Sequence, residues 1–262
     1  MSRNKPVPLS HRLQYLAYRA FEGVLRCLSM ETAFRAGELT GEIVHRFGSK
    51  FRKQVARNIH LAFGDELTAV QRKQLTAEVF SRVGANFFCS LKVPFLSKSE
   101  VRDLLEFEGL EQLLKSSEHT GAVLVSPHMG NWELLAQAIF IAERQIQAGT
   151  HYRPLNNTLV NDVVERRRKK HGLRLFAKHS STHQITSFIR EGGLLCVLAD
   201  QRVGPRGAPC AFFGRPTTCS PLPHLLAKRS KGGLFSLVCE TVAPARWKVD
   251  CKIRNFFCKI IN

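Results

Sequence analysis

The sequence predicts an α/β fold: a central mixed, mostly parallel sheet, flanked by helices and preceded by an N-terminal helical layer. Three observations carry that expectation. Residues 1–100 hold long amphipathic stretches at the helical period. From residue 101 onward, short β-rich runs bounded by turn residues alternate with helical stretches, which is how a parallel sheet with crossover helices is written. Two of these runs, Gly121-Ala-Val-Leu-Val125 and Leu194-Leu-Cys-Val-Leu198, are continuously apolar, as strands buried on both faces are. With 262 residues and no linker-like stretch, one domain is expected over 1–262, its helical layer over 1–100 and its α/β core over 101–262.

Taken in order, residues 11–30 place Leu13, Leu16, Ala17, Ala20, Val24, Cys27 and Leu28 on one helical face, with Arg12, Arg19 and Arg26 along its flank. Such a stripe suits a helix lying in a membrane interface, and equally a helix packed on its own domain. Residues 30–51 continue helically. Two further amphipathic helices, over 52–64 and 68–88, are separated by Gly64-Asp65. Residues 104–113 read as a short strand entering a helix, and 149–153 as a strand ended by Pro154. The densest basic run, Arg166-Arg-Arg-Lys-Lys170, falls on the following helix. A strand over 173–177 and a helix over 181–191 come next, the helix turning Ile185, Phe188 and Ile189 inward and stopping at Gly192-Gly193. The apolar run from Leu194 terminates in Asp200, at the strand end where α/β sheets place functional side chains. Final strands are expected over 234–239 and 249–254.

Composition narrows the partners. Thirty-nine Lys and Arg against 21 Asp and Glu give a net charge of +18, which implies attraction to nucleic acid, anionic lipid or an acidic carrier protein. With no zinc knuckle, helix-turn-helix or aromatic RNA-binding pattern, nucleic acid is the weakest of the three. The eight cysteines are scattered without a C-x2-C pair, which favours reduced, buried thiols over disulfides or a structural metal, and neither metal nor cofactor is expected. The opening Met-Ser-Arg-Asn-Lys-Pro does not read as a secretory signal, and no apolar run reaches the length of a membrane span, so a soluble or peripheral protein is expected.

The chemistry concentrates in Ser126-Pro-His-Met-Gly-Asn-Trp-Glu-Leu-Leu135, which leaves the first apolar strand through a sharp turn into a helix. His128 sits in the turn. Within one helix His128 and Glu133 would stand about 140° apart, so they meet only if His128 precedes the helix and Glu133 occupies its first turn. Asn131 is the expected N-cap. Glu133 would then fix the imidazole tautomer and leave the other ring nitrogen basic, a two-residue general base with no protein nucleophile. The plainer alternative is a turn histidine and a first-turn acid favoured by the helix dipole.

This block, with its Gly-Asn-Trp-Glu core, resembles the H-x4-D/E block of the lipid A biosynthesis (lauroyl/myristoyl) acyltransferases, within the lysophospholipid acyltransferase superfamily. The likeness extends over roughly residues 50 to 230. Tyr152-Arg-Pro154 with Asn156-Asn157 resembles a Y-R-P…N block, and Asp200-Gln201 with Gly204, Gly207 and Phe212-Phe-Gly214 resembles a D-Q…G…F-F-G block. Residues 222–231 depart from the family pattern. The resemblance implies transfer of a fatty acyl group from a thioester, on acyl carrier protein or CoA, to a hydroxyl of a lipid A precursor at the cytoplasmic face of the inner membrane. His128 and Glu133 would be catalytic, and Asn131, Arg153, Arg168, Asp200 and Gln201 would bind or orient substrate. Another glycolipid or an amino-acid lipid as acceptor, and a catalytically impaired basic membrane-binding relative, stay open as alternatives.

Overall fold

A computed structural model describes residues 7–117, 120–138, 146–170 and 172–253. Five helices come first: α1 (Leu9–Cys27), α2 (Met30–Phe47), α3 (Ser49–Phe63), α4 (Ala69–Lys92) and the short α5 (Lys98–Asp103). Their starts are written locally. Ser29 and Thr68 each accept a hydrogen bond from a first-turn N–H, and Thr68 with Gln71 completes a reciprocal capping box. The single helix expected over 30–51 is broken at Gly48, where α2 ends and α3 begins.

The remainder alternates: β1 (Leu105–Glu108), α6 (Leu110–Ser117), β2 (Ala122–Ser126), α7 (Trp132–Ala138), β3 (Ala148–Tyr152), α8 (Thr158–Lys169), β4 (Arg174–Ala177), α9 (Thr182–Arg190) and β5 (Leu194–Leu198). A hairpin of β6 (Ala208–Phe212) and β7 (Arg215–Cys219) follows, then α10 (Leu222–Ser230), β8 (Gly233–Ala243) and β9 (Arg246–Ile253). Seven strands form one sheet in the order β1-β9-β8-β2-β5-β3-β4, parallel throughout except for the β8–β9 pair. The expected mixed, mostly parallel sheet behind an N-terminal helical layer is what the chain forms. The β6–β7 hairpin stands apart from the sheet, in a stretch to which the sequence reading assigned no strand. The helix that the sequence predicts over 132–140 and the strand it predicts over 249–254 each end in residues (139, 140 and 254) that, like Cys258, lie outside the described residues.

Alternation along the central strands divides the core. Ala122, Leu124 and Leu194 face one cluster with Phe34, Leu134 and Trp247, while Val123, Leu195 and Val197 face a second with Phe188, Ile189 and Leu226. The helical layer covers the first face, and α9 and α10 the second. Within that layer α2 and α4 approach until their backbones touch: a Cβ on Gly41 would lie 2.1 Å from the Phe80 carbonyl oxygen, and one on Gly84 2.2 Å from that of Gly37. Buried Asn86 ties α4 to the sheet, accepting the Trp247 indole N–H at 2.7 Å and donating to the Thr241 hydroxyl at 3.2 Å.

α1 is fastened to α8 at both ends. Asn157, the N-cap of α8, donates to the His11 carbonyl at 2.9 Å and to the Gln14 side chain at 3.1 Å. Farther along, Arg167 pairs with Glu22, donates to the Tyr18 hydroxyl at 3.0 Å and lies over the Phe95 ring. Glu22 is 2% exposed, so the pair is a buried one. Leu9, Leu13, Leu16 and Val24 on the same helix are exposed. Of the two sequence readings of this helix, packing on its own domain therefore holds for one side, while an apolar stripe remains open on the other.

Candidate active site

The turn after β2 is built by its own residues. Pro127 ends the ladder because it has no N–H to give. Gly130 adopts φ +59°, and a Cβ there would stand 2.2 Å from the Cys239 carbonyl oxygen of β8, so the chain passes over that strand only as glycine. Asn131 starts α7 as expected, its Oδ1 accepting the Leu134 N–H at 3.2 Å and the Ser90 hydroxyl at 2.9 Å. It is wholly buried. In this arrangement its Oδ1 supports the turn from beneath, and substrate access to it is closed off by burial.

β2 and β5 lie side by side, with Ser126 opposite Leu198. Two residues beyond each stand His128 and Asp200. The Asp200 carboxylate takes the His128 backbone N–H on Oδ2 at 2.9 Å and the ring Nδ1 on Oδ1 at 2.7 Å. Desolvation works to raise the Asp200 pKa, but these two hydrogen bonds and the attraction of the imidazole outweigh it, and the carboxyl sits below its ordinary range. An ionised carboxylate only accepts, so Nδ1 carries the proton and a neutral ring presents a bare Nε2. The His128 and Asp200 side chains are 33% and 36% exposed, open to solvent and to a ligand. The Trp132 ring packs edge-on against the imidazole at 5.6 Å.

Glu133 corrects the sequence expectation. It lies in the first turn of α7 with His128 ahead of the helix, as foreseen, but its carboxylate is engaged by Arg168 of α8. The Arg168 Nε donates to Oε2 at 3.1 Å and the terminal nitrogen reaches Oε1. The planar guanidinium fork matches both carboxylate oxygens, while the Nδ1 proton of His128 is already committed to Asp200. Arg168, expected to meet a lipid phosphate or an acidic carrier, is thereby taken up in holding α7 to α8. Asp200, read as a group orienting Arg153 or the acceptor, is the partner of the imidazole. No local signal in the sequence marks this pairing, because 72 residues separate its members.

Arg153 follows β3, is exposed, and makes no side-chain hydrogen bond or ion pair among the described residues. Gln201 is exposed in the turn after Asp200. Beside Arg153, Tyr152 donates to Glu165 at 2.5 Å, and burial, then the bond and charge of Glu165, push the phenol up to about 12. Sequence reasoning passed over this pair, which fixes the end of β3 to α8. The Cys239 thiol under the turn is raised to about 11 and that of Cys196 to about 12, both by burial, so neither offers a thiolate at neutral pH. Among the described residues no cluster of His, Cys, Asp and Glu is arranged to hold a metal ion. No described helix is long and apolar enough to cross a membrane.

A carboxylate-oriented imidazole at the carboxyl ends of adjacent parallel strands has the geometry for acid–base chemistry of the transferase and hydrolase kind. Comparison with known proteins identifies the family. Residues 6–250 match the family model described as bacterial lipid A biosynthesis acyltransferase, and the chain belongs to that family of enzymes. It is 27% identical over 199 residues to a lipid A biosynthesis acyltransferase of Haemophilus influenzae, covering 74% of this chain and 62% of that one. It is 26% identical over 166 residues to a lipid A biosynthesis palmitoleoyltransferase of Escherichia coli, covering 63% of this chain and 53% of the relative. The matches thus span little more than half the length of these curated relatives.

Proposed function

We propose that this chain transfers a fatty acyl group from an acyl-thioester, carried on acyl carrier protein or CoA, to a hydroxyl of a lipid A precursor, with His128 as general base. The observation that carries the reading is the double hydrogen bond from His128 to Asp200, which orients the ring and, in its neutral form, turns Nε2 into the acceptor. Nε2 takes the proton of the acceptor hydroxyl as its oxygen attacks the thioester carbonyl. The imidazolium is stabilised by the Asp200 carboxylate. The carbon–sulfur bond then breaks, the imidazolium returns the proton to the departing sulfur, and the products are the new ester and the free thiol carrier. No covalent acyl-enzyme forms.

Glu133 acts here as a positioning residue, holding the first turn of α7 through Arg168. Arg153 is the cation open to a substrate phosphate, and Gln201, exposed, directly follows the partner of the base in the chain. An exposed apolar side chain accompanies each site loop, Met129 after His128, Leu155 after Arg153 and Val203 after Asp200, which suits an acyl chain. The net charge of +18 supports an acidic carrier, a phosphorylated acceptor and an anionic membrane surface as partners. On this reading the protein works peripherally at the cytoplasmic face of the inner membrane. The test is incubation of purified protein with labelled acyl-carrier thioester and lipid A precursor, products read by mass: the acylated precursor is expected from the intact chain and none from His128→Ala. Equal product from the variant would overturn the assignment of the base.

A further inference from the structure

On the helical layer lies a cavity of about 790 Å³, between α2, α3 and the start of α4. Its wall carries His45, Arg46, Arg52, Arg72 and Lys73, against the single acid Glu42. Two of these cations are held in place by main-chain carbonyls. Arg52 donates through Nη1 to the carbonyl of Arg46 at 2.9 Å and to that of His45, where α2 ends. Arg72 donates through Nη1 to the carbonyl of Gly64 at 2.8 Å and to that of Leu67. Each guanidinium is thereby fixed without losing its charge, since a carbonyl neutralises nothing. Arg46 and Lys73 are exposed, and their side chains make no hydrogen bond or ion pair among the described residues.

The same three helices also expose apolar side chains. Ile43 and Phe47 on α2, Phe51 on α3 and Val70 on α4 each adjoin a cavity residue in sequence and are exposed, Phe47 by 76%. Immobilised positive charge on helices that also expose apolar side chains matches an amphiphile whose anionic head enters the cavity while its apolar part meets the surrounding helix surface.

The site is separate from the catalytic turn. α4 contributes Thr76 to the cavity and, 14 residues on, Ser90 to the hydrogen bond with Asn131, a separation of about 20 Å along the helix.

We propose that this cavity binds the phosphate headgroup of an anionic bilayer phospholipid, docking the α2–α3–α4 face on the membrane. The assignment deepens the membrane part of the functional reading, and its test does not pass through acyl transfer.

The full chain is partitioned onto phosphatidylcholine vesicles with and without phosphatidylglycerol, at fixed salt. Arg46→Gln with Lys73→Gln is compared with Arg166→Gln with Lys170→Gln, which removes the same two charges elsewhere. The cavity pair is expected to weaken partition onto anionic vesicles by roughly thirtyfold, from the contribution of two basic groups at an anionic surface, with little change from the control pair. Equal losses from the two pairs would reduce the site to general surface charge and overturn it. A second measurement needs no variant: in the intact protein, amine-reactive labelling of Lys73 is expected to fall with anionic vesicles but not with inorganic phosphate at equal phosphorus. Protection by free phosphate and not by vesicles, or by neither, would refute a lipid site.

Discussion

His128 and Asp200 each lie two residues beyond a pair of facing residues, Ser126 and Leu198, on adjacent parallel strands. The sheet register therefore delivers carboxylate and imidazole to one another, and the 2.7 Å ring contact follows from strand geometry with no long loop to order. Because the backbone N–H of His128 bonds to the same carboxylate, turn and ring are fixed together.

Replacing the carboxylate should be almost as damaging as removing the ring. Asp200→Asn keeps the shape but lets its amide N–H face Nδ1, which favours the wrong tautomer. The rate of acyl transfer is expected to fall by roughly 10²–10⁴-fold, the range for loss of general-base catalysis. Steady-state kcat checks this, and near-normal turnover would remove Asp200 from the mechanism.

The same contact predicts an acid dependence of stability. The folded Asp200 pKa lies below its ordinary value, so its contribution is complete above the unfolded carboxylate pKa of about 3.9 and is lost as pH falls through the depressed folded value. Urea midpoints followed downward from about pH 5 should decline less steeply in Asp200→Asn than in the intact chain. Identical slopes would mean that the carboxyl gains nothing from His128.

Glu133 and Arg168 should behave as one unit. Glu133→Gln and Arg168→Gln are each expected to lower kcat by about tenfold, less than Asp200→Asn, and the double variant to lose little beyond either single one, as residues sharing one contact do. If Glu133→Gln abolished transfer as fully as His128→Ala, Glu133 would have to contact the ring during reaction.

Glu22 on α1 and Arg167 on α8 form a buried ion pair whose side chains are 3% and 15% exposed. Removing one partner strands the other, so Glu22→Gln should cost on the order of 3–5 kcal/mol in unfolding free energy. The double change Glu22→Leu with Arg167→Met should recover most of it. Chemical denaturation of the three proteins measures both effects.

Two glycines give a paired test of the helical layer. Gly23→Ala has open space and a helical backbone, and is expected to stabilise by about 0.5–1 kcal/mol. Gly41→Ala would set its methyl against the Phe80 backbone and should destabilise by about 1–3 kcal/mol or more. Thermal unfolding of both variants separates helix propensity from helix–helix approach.

Much of this protein was legible in the linear chain. Continuous apolar runs marked the central strands, Thr68 and Asn131 marked helix starts, and the Ser126–Leu135 block placed a histidine in the turn beneath which Asn131 caps a helix. Each is a local matter, settled within a few residues by periodicity, capping or the limits of proline and glycine. The β6–β7 hairpin was missed because its strands, Ala-Pro-Cys-Ala-Phe and Arg-Pro-Thr-Thr-Cys, each carry a proline and lack apolar alternation. The partner of the histidine was misassigned for another reason. Glu133 lies five residues away and Asp200 seventy-two, and proximity in sequence favours the first. A hydrogen bond depends on the approach of two atoms in space. Here the pairing of β2 with β5 supplies that approach, and the reach of Arg168 from α8 draws the nearer acid away.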